Sequence, residues 1–189
     1  MKSIEKHIKD TYHLSNYQIA QLAFLVKTLG SELSKLLIMG IFFHNRLTLY
    51  IFALLVMLCL RCSTGGLHFY TYTGCLIAST LYLGLALFPL PYIKLRRWIQ
   101  ISLLLGCIIT SYIIGPITSK YRPVSSIEHN KHRRNIACFF IFIYTLILYI
   151  IPENTYLTVG FWIIILHSLQ LLVAKIQKKG DSIKWFPSF

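Results

Sequence analysis

Acidic side chains are scarce in this chain of 189 residues: six Asp and Glu stand against nineteen Lys and Arg, a net charge of +13. Charge of either sign is scarce too, at 13% of residues, while hydrophobic residues make up 56% and the mean hydropathy is +0.62. A soluble domain of this length exposes far more charge, so that class is excluded and lipid is the expected surrounding of a single domain. The basic excess does not point to nucleic acid, because the cations lie between apolar runs. There they serve the positive-inside bias and attraction to anionic membrane lipids. Cysteine is sparse and odd in number, at five, with Cys59, Cys107 and Cys138 inside apolar runs. That excludes a disulfide framework and reads as small buried hydrophobes. No secretory signal is visible, since the first thirty residues lack a continuous apolar core before a small-residue cleavage site. Insertion is therefore expected to rely on internal segments.

Those segments are what the chain has in abundance. Residues 1–35 mix charge with apolar positions at helical spacing (Ile19, Leu22, Ala23, Val26, Leu29), the pattern of an amphipathic interfacial region. Two short runs, 36–43 and 47–60, are split by His44, Asn45 and Arg46, which mark a bend. The stretch 36–60 therefore reads as one bent membrane segment or a shallow hairpin. The runs 76–93, 98–118, 136–151 and 157–174 are credible spans, with Pro89, Pro91 and Pro116 near their ends where proline is tolerated. The expected fold is an all-α polytopic membrane bundle of about four to six membrane segments with an amphipathic N-terminal region. Its orientation follows from the loops. With a cytoplasmic C-terminus, the basic loop 119–135 (Lys120, Arg122, Lys131, Arg133, Arg134) and the tail (Lys175, Lys178, Lys179, Lys184) face inward. Only KLRR, 94–97, then lands on the wrong side. The stretch 61–75 faces the cytoplasm in that topology.

This stretch, RCSTGGLHFYTYTGC, is where the apolar pattern pauses and a base and a thiol come within seven positions. Chance alone produces such pairs, as His129 and His132 near Cys138 show. Four readings stand open. In the first, His68 activates Cys75 as a nucleophile, serving both as base and, once protonated, as a neighbouring positive charge. On one straight helix, residues seven apart share a face but lie about 10 Å apart along the axis. The backbone must then fold back or break, and Gly65-Gly66 and Thr73-Gly74 supply the freedom. In the second, Cys59, Cys62, His68 and Cys75 form a C-x2-C-x5-H-x6-C zinc set, although Cys59 would have to leave its apolar run. In the third, Cys59 and Cys62 form a redox CxxC. The fourth is a plain turn between helices with no chemistry. Elsewhere, His167 lies on an apolar helix and reads as a hydrogen-bonded interior histidine.

The stretch resembles the signature of the accessory gene regulator B (AgrB) family, membrane cysteine endopeptidases of Gram-positive peptide quorum sensing. Arg61, Gly65, Gly66, His68 and Cys75 match that signature in order and spacing. The polar N-terminal region, the length and a basic loop with a proline, Pro123, are similar too, although NKHRRN is looser than the family's usual basic cluster. The resemblance implies a pro-peptide substrate with an amphipathic leader, a central Cys or Ser and an acidic C-terminal tail. It implies that Cys75, activated by His68, attacks the bond before that tail, giving a thioester that the peptide's own Cys or Ser closes to a thiolactone or lactone. Thioester exchange is nearly isoenergetic, so thiolactone closure asks for no nucleotide, and no cofactor or metal is expected. Arg61 would steady an oxyanion or a substrate carboxylate, or simply snorkel at a helix end. Lys131, Arg133 and Arg134 would hold the acidic tail, and a homodimer is expected from the family. The rival class is a non-enzymatic peptide exporter or channel component. Transporters usually reveal buried charges or internal repeats, and neither is evident in this sequence.

Overall fold

In the computed structural model, residues 30–65, 71–116 and 127–180 are described. The backbone groups into two units, 1–44 and 45–189. Of the expected amphipathic region 1–35, residues 1–29 lie outside the described ones. The first unit carries α1, residues 30–42, where Glu32 and Lys35 pair one turn apart on the helix and Phe42 meets Phe43 edge to face. A 3₁₀ turn, His44–Arg46, then breaks the apolar stretch at the polar residues that mark the bend. In sequence, this turn lies between α1 and the helix Leu47–Thr64.

The second unit is an all-helical membrane bundle: α2 (Leu47–Thr64), α3 (Tyr72–Leu87), α4 (Arg97–Ile114), α5 (Ile127–Ile150) and α6 (Thr155–Gly180). Five helical stretches are long and apolar enough to cross a membrane: His44–Thr64, Tyr72–Tyr92, Arg97–Ile114, Asn130–Ile150 and Thr155–Gln177. Helices prevail because lipid offers no partner to backbone amides and carbonyls, so each span must satisfy them internally. The terminators fall where the residues demand. Pro89 ends α3 and opens a 3₁₀ turn, Leu90–Tyr92, while Gly115-Pro116 closes α4. Helix starts differ more from the hydropathy pattern. α3 begins at Tyr72, inside the stretch read as a motif loop, and α5 begins at Ile127, inside the stretch read as the basic loop 119–135. Apolar runs mark only the part of a helix immersed in lipid; the polar turns beyond it wind on.

Contacts between helix ends place the end of α2, the start of α3, the end of α4, the start of α5 and the end of α6 on one side of the bundle, the motif end. α6 is the central post. Half of its apolar window is buried, against 22–39% for the other four spans. Val159, Phe161, Ile163, Ile164, His167 and Leu171 are all at most 1% exposed. Packing against α5 is close: a Cβ at Gly160 would come within 2.8 Å of Tyr144 Cζ and 3.0 Å of Cε2, and the Tyr144 hydroxyl donates to Leu157 O at 2.7 Å.

Three arginines tie helix ends across the bundle. Arg46, just before α2, donates to Leu87 O of α3 at 2.7 Å and covers the Phe88 ring at 4.8 Å. Arg97, at the start of α4, donates to Tyr149 O and Ile151 O at the end of α5 at 3.1 and 3.3 Å. Arg133, on α5, donates to Cys62 O in the last turn of α2 at 2.6 Å. Terminal carbonyls lack intrahelical donors and carry the negative end of the helix dipole, so a guanidinium there is doubly favourable. This gives Arg97, one of the two arginines of the off-pattern KLRR stretch, a structural reason to be where it is.

Candidate active site at the motif end

The last turn of α2 carries Arg61 and is held from several sides. Gly65 leaves the helix at φ 77°, a left-handed conformation suited to glycine, and its amide donates to Arg61 O at 2.9 Å. Thr64 is fully buried, and its Oγ1 donates to Leu60 O at 2.9 Å while lying 2.7 Å from His167 Nε2 on α6. Gly115, at the end of α4, sits so close that a Cβ there would be 3.3 Å from Thr64 Cγ2 and 2.8 Å from Ser111 O. Arg61 itself is half-buried, and its Nε is enclosed without a hydrogen-bond partner among the described residues. A buried guanidinium nitrogen with no acceptor is a costly arrangement unless something else arrives to accept from it.

Cys75 belongs to the other arm. Thr71 caps α3: its Oγ1 accepts from the Gly74 amide at 3.2 Å, and its carbonyl accepts from the Cys75 amide at 3.1 Å. Cys75 is thus in the first turn of a helix, half-buried and present as a thiol. The flexible pair Thr73-Gly74 is used differently from expectation, since both residues wind into the first turn. Gly65 is the only glycine with positive φ among the described residues. His68 and Gly66 lie outside the described residues. The helix of Cys75 starts at Tyr72.

The basic residues separate by task. Lys131, Arg133 and Arg134 stand on the first turns of α5, not in a loop. Arg133 is tied to Cys62 O. Arg134 lies over the Tyr112 ring at 4.3 Å, a cation–π contact, with its Nε buried and without a partner among the described residues. Lys131 is exposed. The zinc set fares poorly: Cys59, Cys62 and Cys75 are all described, yet no group of three potential metal ligands gathers among the described residues. Residues that sequence reasoning passed over are Thr64, Thr71 and Tyr82. Thr71 carries a recognisable cap signal ahead of an apolar run, whereas the partners of Thr64 and Tyr82 are distant in sequence.

Comparison with known proteins adds an independent line. The sequence model of the family described as "Accessory gene regulator B" matches residues 2–171. A protein of Clostridium beijerinckii described as "Putative AgrB-like protein" is 27% identical over 116 residues, covering 60% of this chain and 58% of that relative. No solved structure matches.

Proposed function

Because the chain belongs to the accessory gene regulator B family, we propose that it is a membrane cysteine endopeptidase that trims and cyclises a signalling pro-peptide. The observation that carries this reading is the place of Cys75, a thiol in the first turn of α3 at the bundle end that also bears Arg61. His68 takes the thiol proton and the Cys75 sulfur attacks the carbonyl carbon before the peptide's acidic tail. The C–N bond breaks, His68 returns the proton to the leaving amine, and the peptide remains as a thioester on Cys75. The peptide's own Cys or Ser then attacks that thioester, its proton passing to the departing Cys75 sulfur. One thioester replaces another when the ring closes through sulfur, so no nucleotide is consumed. Arg61, with its unmatched Nε, is suited to the oxygen that gains charge in each step.

The same end of the bundle holds Lys131, Arg133, Arg134 and Lys175, which supports a cytoplasmic site by the positive-inside rule. Lys131, which is exposed, is the cation best placed to meet an acidic tail; Arg133 and Arg134 contribute field while serving the bundle. Anionic lipid and a second copy of the chain are further partners of this reading. The test is release of the tail from a candidate pro-peptide by protein in lipid, read by mass spectrometry. Wild type is expected to release it, while Cys75→Ala and His68→Ala are not. Release that survives Cys75→Ala contradicts the peptidase reading, and peptide export that tolerates Cys75→Ser favours a transporter instead.

A further inference from the structure

Opposite the motif end, four residues join the span of α3 to that of α4. Ile93, Lys94, Leu95 and Arg96 lie between the apolar stretches that end at Tyr92 and begin at Arg97. Exposure alternates here, with Lys94 and Arg96 exposed and Leu95 and Arg97 half-buried. Ile93 and Arg96 have extended backbone, in which successive side chains point to opposite sides. Arg97 turns to the carbonyls at the end of α5, whereas Lys94 and Arg96 make no ion pair or side-chain hydrogen bond among the described residues. The backbone that carries them is pinned. Buried Gln100 donates from Nε2 to Leu95 O at 3.2 Å, and Arg96 O accepts from the Ile99 and Gln100 amides at 2.9 and 3.2 Å. Glu153, in the connection after α5, is the one described carboxylate at this end of the second unit, and it pairs with neither cation.

The depth of this edge follows from chain length. Four extended residues cover at most about 14 Å, so a connection that leaves one span and enters the next rises no more than about 7 Å above the apolar layer. The headgroup layer of a leaflet is about 5–7 Å deep. Aromatic side chains mark the same level: Tyr92 and Trp98, on either side of the connection, are 75% and 76% exposed, and Ile93 beside them is exposed too. Amphipathic rings at span ends sit at the interface, which sets Lys94 and Arg96 among headgroups. We infer that this edge is a headgroup site for an anionic phospholipid, with Lys94 and Arg96 holding the phosphodiester and Tyr92 and Trp98 against the glycerol and upper acyl chain. A soluble polyanion would also meet the two charges, but it would leave Tyr92, Ile93 and Trp98 facing water. The inference does not rest on the peptidase reading. It gives a use to cations that the positive-inside bias disfavours on this side, and it turns a general attraction to anionic lipid into a particular site.

The test uses the full chain in nanodiscs made of equal parts phosphatidylcholine and phosphatidylglycerol, with bromine on the acyl chains of one lipid or the other. Trp98 is the reporter, its fluorescence taken as the difference between each protein and the same protein carrying Trp98→Phe. Brominated phosphatidylglycerol is expected to quench it more than brominated phosphatidylcholine, by an amount that corresponds to about a three- to tenfold preference. Lys94→Gln combined with Arg96→Gln is expected to bring the two lipids to parity. Lys94→Arg combined with Arg96→Lys is expected to keep the preference, and raised salt to weaken it. Equal quenching by both lipids in the wild type, or a preference that survives in the glutamine variant, would overturn the site. Quenching by neither lipid, with Trp98 responding instead to soluble polyglutamate, would also overturn it and assign the edge to a soluble acidic partner.

Discussion

At the far end of the bundle, Arg46 and Arg97 reach across to the terminal carbonyls of α3 and α5, and their charge is absorbed by helix ends. At the motif end, among the described residues, Arg133 alone is used in that way, on Cys62 O. Arg61 keeps a buried, unmatched Nε, Arg134 keeps another beside Tyr112, and Lys131 is exposed. Half-buried guanidinium thus closes one end and leaves the other with positive charge not matched to helix carbonyls. Structural ends satisfy their donors; on the proposed peptidase reading, the motif end keeps some in reserve for a peptide carbonyl or carboxylate.

Substitutions at the two ends sharpen this contrast. Arg61→Ala is expected to lower turnover about a hundredfold with little change in melting temperature, as loss of an oxyanion donor does. A fall confined to stability would place Arg61 with the structural arginines. Gly160→Ala tests the post between the two ends. Its new Cβ would run into the Tyr144 ring, and unfolding is expected to become easier by about 1–3 kcal/mol. At the far end, Arg97→Ala removes two bonds to helix carbonyls. It is expected to cost about 1–2 kcal/mol of stability while activity per folded molecule stays constant. Equal turnover losses for Arg97→Ala and Arg61→Ala would erase the distinction between the ends. The smallest effect belongs to Lys131→Ala, a rise in KM of about two- to fivefold that fades at high salt, because the side chain is solvated.

Much of the bundle is readable from residues alone, for a physical reason. Lipid demands long apolar helices, so the runs from Leu76, Trp98, Ile136 and Leu157 announce themselves, and His44–Arg46 breaks the first stretch where polar residues interrupt it. Pro89 and Gly115-Pro116 end helices as their backbones require. The helix starts at Tyr72 and Ile127 are hidden because polar first turns look like loop on any hydropathy scale. At the candidate site, His167 reads as an interior hydrogen-bonded histidine and is one. Its partner Thr64 cannot be foreseen, since nothing local marks a contact between residues so far apart in sequence. The division of labour among Lys131, Arg133 and Arg134 is hidden for the same reason: three neighbouring cations look alike until their carbonyl and ring partners are in place. The zinc set Cys59, Cys62, His68 and Cys75 stands open in the sequence, and among the described residues no group of three candidate ligands forms.

The central claim is that Cys75 is an acyl-forming nucleophile at the end of the bundle where cations are held in reserve. The most direct measurement is the intact mass of the protein in lipid after brief exposure to a candidate pro-peptide. The account predicts an added mass equal to the tail-less peptide, mapped to Cys75, released by hydroxylamine as a thioester is, and missing in Cys75→Ala and His68→Ala. Tail release by wild type with no such adduct at Cys75, undiminished in Cys75→Ala, would contradict it.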